Sequence, residues 1–264
     1  MTTSLVGVPL GGTAHAPLLL LGPSLGTSAA TLWGHAATDL ARSFHVVGWD
    51  LPGHGRHRGA DSASEEPFTI ADLAAGVIEI AQVYSPDRPF HYAGDSVGGA
   101  VGLQLLLDAP ERVASATTLC TGARLGTEEM WRERAASVRA SGTASMVSGS
   151  AERWFAPGFL DREPTAGSAL LHALRDTDDE GYARVCEALA TFDVRERLHE
   201  ITTPVLAVAG GHDGPTPPAL LREVADGVQD GRLVVLDDVA HLAPVEAPAR
   251  VAQLMTDHAG GHRD

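Results

Sequence analysis

Short apolar runs alternate with longer amphipathic stretches along most of the chain, which is the pattern of a sheet built from β-α-β units. The runs that predict strands are 17–22, 44–49, 90–94, 112–120, 204–209 and 232–236. The stretches that predict helices are 70–84, 97–107, 217–228 and 244–258. Thr69 is the expected N-cap of the first of these helices. The order of these elements predicts an α/β fold with a mostly parallel central sheet flanked by helices.

The segment from about 125 to 191 breaks this alternation. It contains no strand-like run, and it carries helical stretches with several arginines and the aromatic residues Trp131, Trp154 and Phe155. We therefore expect residues 1–124 and 192–264 to form one core domain and residues 125–191 to form a helical cap over one end of the sheet. The alternative is two or three peripheral helices that have no lid role.

A glycine-flanked serine lies between a predicted strand and a predicted helix. The residues are Gly94-Asp95-Ser96-Val97-Gly98, a G-x-S-x-G motif. In this context the serine is expected to occupy a sharp, strained turn that lifts its hydroxyl clear of the sheet. The glycines on either side allow the close packing that such a turn requires. The motif therefore predicts Ser96 as a nucleophile.

A serine hydroxyl is a poor nucleophile near neutral pH, so it needs a general base. For a nucleophile on this kind of turn the chain order is serine, then acid, then histidine. Only His241, His258 and His262 follow the last predicted strand, and the second and third of these fall in the last helix and the tail. His241 lies in the loop directly after the strand, so we expect it to be the base.

The acid that orients the base should follow the penultimate predicted strand. Asp213 does so, at the end of Ala209-Gly-Gly-His-Asp213. Asp237 and Asp238 come after the last strand, which is too late in the order, and His212 precedes the acid. We therefore expect Asp213 to orient His241.

Two backbone N–H groups are needed to stabilise an oxyanion. The N–H of Val97, directly after the nucleophile, is the expected first donor. The second should come from the loop after the strand 17–22, where Leu25 precedes a glycine that allows an unusual backbone conformation. The sequence thus predicts an oxyanion hole formed by Val97 and Leu25.

Composition and charge narrow the classes of partner. The formal net charge is −15, and a negative field of this size repels nucleic acid and anionic membranes. We find no secretory signal and no apolar run long enough to span a membrane, so we expect a cytoplasmic enzyme. Cys120 and Cys186 lack metal-like spacing and are expected to be buried free thiols. No metal or nucleotide motif is present, so no cofactor is expected, and the pattern carries no information on oligomeric state.

Several further segments, together with this serine, aspartate and histidine, make the chain resemble the 3-oxoadipate enol-lactonases of the α/β-hydrolase superfamily. They are Pro23-Ser-Leu-Gly-Thr27, Trp131 with Arg134, Val138-Arg-Ala-Ser-Gly142, Arg153-Trp-Phe155, Gly181-Tyr182 with Cys186, Pro204-Val-Leu with Gly210, Asp213-x-x-Thr-Pro217, Ala240-His-Leu242 and Glu246-x-Pro248. The resemblance runs from about residue 17 to residue 254 and includes the predicted cap. It implies the α/β-hydrolase fold and hydrolysis of a small enol-lactone to a keto dicarboxylate, a reaction of the β-ketoadipate branch of aromatic catabolism.

The chain departs from this family close to the nucleophile. Family members usually carry Leu-Ser-Met in the turn, where this chain has Asp95-Ser96-Val97. The carboxyl group of Asp95 either pairs beneath the turn, raises the pKa of the base or reflects a different substrate. In addition, Pro23 replaces an asparagine, and an Arg-Gly-His-Gly-type loop becomes Pro52-Gly-His-Gly55.

An anionic lactone must enter a protein of strongly negative charge, so a local arginine is required to pair with its carboxylate. Arg134 is the first candidate and Arg124 the second, with Trp131 and Trp154 as apolar walls. A solvated cap face is the alternative role for either arginine.

Other activities fit the same residues. A carboxylesterase or a carbon–carbon bond hydrolase would use the same serine, histidine and aspartate. A non-catalytic ligand-binding member of the fold could retain all three as well.

Overall fold

The computed structural model of the protein describes residues 4–58 and 67–261. The strands are β1 (Val6–Gly11), β2 (Leu18–Gly22), β3 (His45–Asp50), β4 (Phe90–Asp95), β5 (Val113–Leu119), β6 (Val205–Gly210) and β7 (Gly231–Leu236). The helices are α1 (Ala29–Leu40), α2 (Ile70–Tyr84), α3 (Val97–Asp108), α4 (Glu128–Ser141), α5 (Val147–Trp154), α6 (Phe159–Arg162), α7 (Pro164–Arg175), α8 (Asp179–Ala190), α9 (Pro218–Gly227), α10 (Ala243–Glu246) and α11 (Pro248–Gly260).

The seven strands form one sheet in the order β1-β3-β2-β4-β5-β6-β7. All neighbouring strands run parallel except β1, which pairs antiparallel with β3. Helices pack along the sheet: α1 against α11, and α2 against α3. The predicted α/β fold with a mostly parallel sheet is therefore confirmed.

The strands β2 and β6 are buried along their whole length, as expected for parallel strands covered by helices on both faces. Their continuous apolar sequences explain why they were predictable. Strand β1 and helix α1 were not predicted. In the sequence of β1, Val-Gly-Val-Pro-Leu-Gly, glycine and proline interrupt the large apolar residues, and a proline argues against a central strand. The structure places β1 at an edge of the sheet, with most of its side chains half-exposed.

The last predicted helix is two helices in the structure. α10 ends at Glu246 and α11 begins at Pro248. A proline disfavours helical backbone in the residue before it, and Ala247 accordingly has φ −138° and ψ 56°. The helix α2 is confirmed with the predicted cap, because the Thr69 side chain accepts a hydrogen bond from the Asp72 N–H at 3.1 Å.

The segment 125–191 contains the five helices α4 to α8, and its described residues include no strand. An isolated antiparallel bridge joins Arg124 to Asp193 at the two ends of the segment. Helices α4 and α8 pack together, and Arg139 of α4 forms ion pairs with Glu180 and Glu187 of α8. The division into core and cap stays a prediction. Within the described ranges, no helix combines the length and hydropathy that crossing a bilayer requires.

Helix α3 approaches the sheet closely through glycine. A Cβ atom at Gly98 would lie 2.6 Å from the carbonyl carbon of Gly22 and 2.7 Å from the carbonyl oxygen of Pro23. The Gly98 N–H uses this proximity and donates to the Pro23 carbonyl at 2.9 Å. The start of α3 is thereby fixed against the loop that follows β2.

We expect Gly98→Ala to lower the free energy of unfolding by at least about 1–3 kcal/mol, because backbone rather than a flexible side chain must move to make room. The matched control is Gly34→Ala on the exposed face of α1, where an added Cβ meets no atom within 4 Å. That variant should gain about 0.5–1 kcal/mol. Urea unfolding of the two variants measures the difference, and a Gly98→Ala protein as stable as the wild type would contradict the packing argument.

Candidate active site

Ser96 occupies a strained turn between β4 and α3. Its backbone has φ 53° and ψ −114°, a conformation that non-glycine residues rarely adopt. The surrounding structure compensates: the Ser96 N–H donates to the Leu119 carbonyl at 2.9 Å, and Thr121 Oγ1 donates to the Ser96 carbonyl at 2.7 Å. A side chain at Gly94 would overlap the Gly98 carbonyl. The sequence motif therefore has the close packing that we inferred for it.

The structure brings together the three side chains expected to act as one unit. His241 Nε2 lies 3.0 Å from Ser96 Oγ, and His241 Nδ1 lies 3.0 Å from Asp213 Oδ2. All three residues are buried. With the proton on Nδ1, the imidazole donates to Asp213 and its free Nε2 accepts from the Ser96 hydroxyl. Such an arrangement can remove a proton from Ser96 and return it to a leaving group.

Asp213 is held independently of the histidine. Its carboxylate accepts from the Thr216 N–H at 2.9 Å and from Thr216 Oγ1 at 2.6 Å. These bonds satisfy the charge of an otherwise buried carboxylate and fix its orientation. His241 reaches it from the loop after β7, where the His241 N–H donates to the Trp154 carbonyl at 3.2 Å.

The two expected oxyanion donors lie on the elements predicted to carry them. Val97 is the first residue of α3, so its N–H has no partner inside the helix. Leu25 lines the same cavity as Ser96 and precedes Gly26, which has φ 81°. In the described part of the chain neither N–H donates a hydrogen bond. Their role stays a prediction.

A cavity of about 520 Å³ opens above Ser96 and His241. Three of the predicted substrate-binding residues line it, namely Trp131, Arg134 and Trp154. Arg134 stacks over the Trp131 ring, with its guanidinium carbon 4.9 Å from the ring centroid. Arg124 does not line the cavity. Its guanidinium faces Asp193 at 3.9 Å at the end of the 125–191 segment, so its position does not support the predicted contact with substrate.

Sequence reasoning did not predict every side chain of this cavity. Arg153, Tyr182 and Glu152 also line it. Burial lowers the pKa of Arg153, and the nearby positive charge of Arg134 lowers it further. Among the described residues no carboxylate lies within ion-pair distance of either guanidinium. The position of Arg153 beside Trp154 was the available signal, but only the structure shows that Arg153 lines the cavity.

Two features bear on other chemistry. In the described ranges no cluster of three or more His, Cys, Asp or Glu side chains is placed to hold a metal ion. Cys120 and Cys186 are buried and unpaired with each other, as predicted, and burial raises the pKa of both thiols.

Asp95, directly before the nucleophile, is fully buried. Neither of its carboxyl oxygens has a hydrogen-bond partner in the described structure, so it does not pair beneath the turn, which was one of the alternatives. Burial raises the pKa of Asp95 well above its ordinary value, and the nearby acids Asp213 and Glu246 raise it further. We therefore expect Asp95 to hold its proton in the folded protein well above the pH at which an exposed aspartate loses it.

This state of Asp95 predicts a pH-dependent stability. In the unfolded chain Asp95 ionises near pH 4, whereas in the folded chain it keeps its proton to higher pH. The free energy of unfolding therefore falls as pH rises above about 4, and it stops falling where the folded group ionises. The loss is about 1.4 kcal/mol per pH unit in that window. Asp95→Asn removes this slope and should be the more stable protein at pH 7. Urea unfolding from pH 5 to pH 8 tests this, with the exposed Asp226→Asn as control, and parallel wild-type and Asp95→Asn curves would contradict it.

Comparison with known proteins agrees with the fold. The profile of the alpha/beta hydrolase family matches residues 18–254. The chain is 34% identical over 238 residues to 3-oxoadipate enol-lactonase 2 of Acinetobacter baylyi, covering 90% of this chain and 86% of the relative. It is 30% identical over 233 residues to a pimeloyl-acyl-carrier-protein methyl ester esterase of Neisseria meningitidis, covering 84% of this chain and 85% of that protein.

A similar solved structure is the enol-lactonase from Burkholderia xenovorans LB400. It superposes with a TM-score of 0.90 at 29% sequence identity, covering 97% of this chain and 96% of the other. The family match extends over the strands β2 to β7, the Ser96 turn and the helices between 125 and 191. The chain belongs to the alpha/beta hydrolase family.

Proposed function

We propose that this hydrolase cleaves a small enol-lactone that carries a carboxylate, of the 3-oxoadipate enol-lactone type, to a keto dicarboxylate. The observation that carries the proposal is the cavity above Ser96, where the guanidinium of Arg134 stacks on Trp131 without an ion-pair partner among the described residues. The similarity to an enol-lactonase over 90% of the chain supports the same substrate class.

Acylation begins when His241 Nε2 takes the proton of Ser96 Oγ and the oxygen attacks the lactone carbonyl carbon. The negative charge that develops on the carbonyl oxygen is stabilised by the N–H groups of Val97 and Leu25. The ring C–O bond then breaks, and the enol oxygen leaves with the proton that His241 returns. The released enol tautomerises to a ketone, which makes this step hard to reverse.

Deacylation uses the same groups, with water as the attacking group and Ser96 as the leaving group. His241 takes a proton from water, and the resulting nucleophile attacks the Ser96 ester. Breakdown of the second tetrahedral intermediate returns the proton to Ser96 and releases the new carboxylate. Asp213 remains ionised throughout and stabilises the imidazolium that forms in each half-reaction.

Substrate capture depends on local charge that opposes the global field. The net charge of −15 repels an anionic lactone at long range. Arg134 and Arg153 supply two guanidinium groups inside the cavity, and a carboxylate can accept paired hydrogen bonds from such a group. Trp131 and Trp154 provide the apolar surface against which the rest of a small ring can pack.

A carboxylesterase is the second candidate function, favoured by the similarity to a methyl ester esterase over 84% of the chain. The same serine, histidine and cavity would hydrolyse an open-chain ester. A panel of neutral esters, carboxylated esters, ring-fission diketones and the enol-lactone separates the esterase, the carbon–carbon bond hydrolase and the lactonase. Labelling of Ser96 by a fluorophosphonate together with turnover separates all of them from a non-catalytic binding protein.

We expect Ser96→Ala to lower kcat for the enol-lactone by several orders of magnitude, about 10⁶-fold in well-studied serine hydrolases. The measurement is turnover of the lactone generated from muconolactone, compared with the wild type at matched protein concentration. Gly34→Ala serves as a control that leaves the site untouched. A Ser96→Ala protein that retains most of the activity would contradict the mechanism.

Arg134→Gln should raise KM for the anionic lactone at least about tenfold and change KM for a neutral ester little, because only the lactone loses a charge-assisted pair. Arg132→Gln is the matched control, since Arg132 lies on the same helix but pairs with Glu128 in solvent. An equal rise in KM for both substrates in Arg134→Gln would remove Arg134 from carboxylate binding.

A further inference from the structure

The loop that carries His241 is held through the backbone of the residue before it, Ala240. This loop runs from the end of β7 to the start of α10 and contains no regular secondary structure. The Ala240 carbonyl accepts a hydrogen bond from Cys120 Sγ at 3.4 Å, and the Ala240 N–H donates to Glu246 Oε1 at 2.9 Å. The backbone carbonyl and N–H of Ala240 are therefore both fixed, each by a side chain that no step of the mechanism uses.

The second oxygen of the same carboxylate reaches a distant segment. Glu246 Oε2 accepts from the Ala156 N–H at 2.8 Å. Ala156 lies two residues after Trp154, which forms a wall of the cavity and whose carbonyl accepts from the His241 N–H at 3.2 Å. One carboxylate thus joins two segments that are separated by more than 80 residues and that both border the reacting atoms.

We propose that Glu246 is a positioning residue that locks the His241 loop to the Trp154 wall, so that one side chain maintains both the Ser96–His241 geometry and the shape of the cavity. The proposal rests on the proposed function, because it takes His241 as the base for Ser96.

Only an ionised carboxylate can make this connection. It offers an acceptor oxygen to each of the two N–H groups, whereas a glutamine offers one oxygen and an NH₂ group that would face a backbone donor. The half-buried setting raises the pKa of Glu246, and the N–H groups of Ala156 and Ala240 oppose that rise. Charge-assisted bonds of this kind are stronger than neutral ones, so the two segments are held more firmly than by backbone contacts alone.

The functional consequence follows from the sensitivity of proton transfer to distance. His241 Nε2 and Ser96 Oγ lie 3.0 Å apart, and a displacement of about 1 Å at a reacting pair can cost about 10²-fold in rate. Loss of the Glu246 connection releases the Val239–Ala240 peptide, which directly precedes the peptide between Ala240 and His241. It should slow the steps that need the base more than it weakens ligand binding.

The test is the rate at which a fluorophosphonate labels Ser96 in wild type, Glu246→Gln and Glu246→Ala. Rates are normalised to the folded fraction from thermal unfolding, and kcat and KM are measured in parallel with a neutral ester. We expect labelling to slow about 10- to 100-fold in Glu246→Gln and further in Glu246→Ala, with kcat falling more than KM rises. Glu163→Gln is the matched control, because Glu163 is an exposed glutamate between α6 and α7.

Each outcome bears on the proposal. A folded Glu246→Gln protein that labels at the wild-type rate overturns it, even if that variant is less stable, because its role would then be structural only. Glu246→Gln retains one of the two hydrogen bonds, so it remains informative if Glu246→Ala does not fold. A wild-type protein whose Ser96 is not labelled at all contradicts the proposed function, and with it the role of Glu246 that rests on it, whereas failure of the Glu246 proposal alone leaves wild-type labelling intact.

Discussion

The site depends on one constrained turn, the positive-φ conformation of Ser96. That conformation is unfavourable for a residue with a side chain. It is held in place by the Ser96 N–H, which donates to the Leu119 carbonyl, by Thr121 Oγ1, which donates to the Ser96 carbonyl, and by the close approach of Gly94 to Gly98. The consequence is geometric. The hydroxyl is presented above the carboxyl end of the parallel strands, where loops after β2, β6 and β7 deliver the remaining groups.

Three carboxyl groups, those of Asp95, Asp213 and Glu246, lie close enough together to interact electrostatically, and hydrogen bonding separates their behaviour. Asp213 accepts two bonds from Thr216, and Glu246 accepts one backbone N–H on each oxygen, so each has partners for its ionised form. Asp95 has none and is the most deeply buried of the three, so its neutral form is favoured. Asp95 thus adds a carboxyl group next to the nucleophile without adding a third negative charge there.

The sequence was most informative where a short motif or the order of residues along the chain identifies a site residue. The G-x-S-x-G motif between a strand and a helix, and the chain order of acid and base, identified three side chains that the structure brings into hydrogen-bond contact. Their catalytic roles stay predictions. Apolar runs predicted the strands β2 to β7, whereas the run in β1 is interrupted by glycine and proline. The helix break before Pro248 follows from the restriction that a proline places on the preceding residue, but the sequence pattern predicted one continuous helix there.

Residues that act through long-range contacts could not be identified in this way. Arg124 lies in the connection before α4 and Arg153 lies in the last turn of α5, and only the tertiary fold directs one to Asp193 and the other into the cavity. Glu246 looked like part of a family motif, and its bond to Ala156 depends on the path of the chain across 90 positions.

The central claim is that His241 activates Ser96 for attack on an ester or lactone carbonyl. Rapid acid quenching during turnover of a slow ester, followed by peptide mass spectrometry, tests it most directly. The account predicts an acyl adduct on the peptide that contains Ser96 in the wild type, and almost none in His241→Ala over the same interval. An adduct on a different residue, or equal acylation of Ser96 in both proteins, would contradict it.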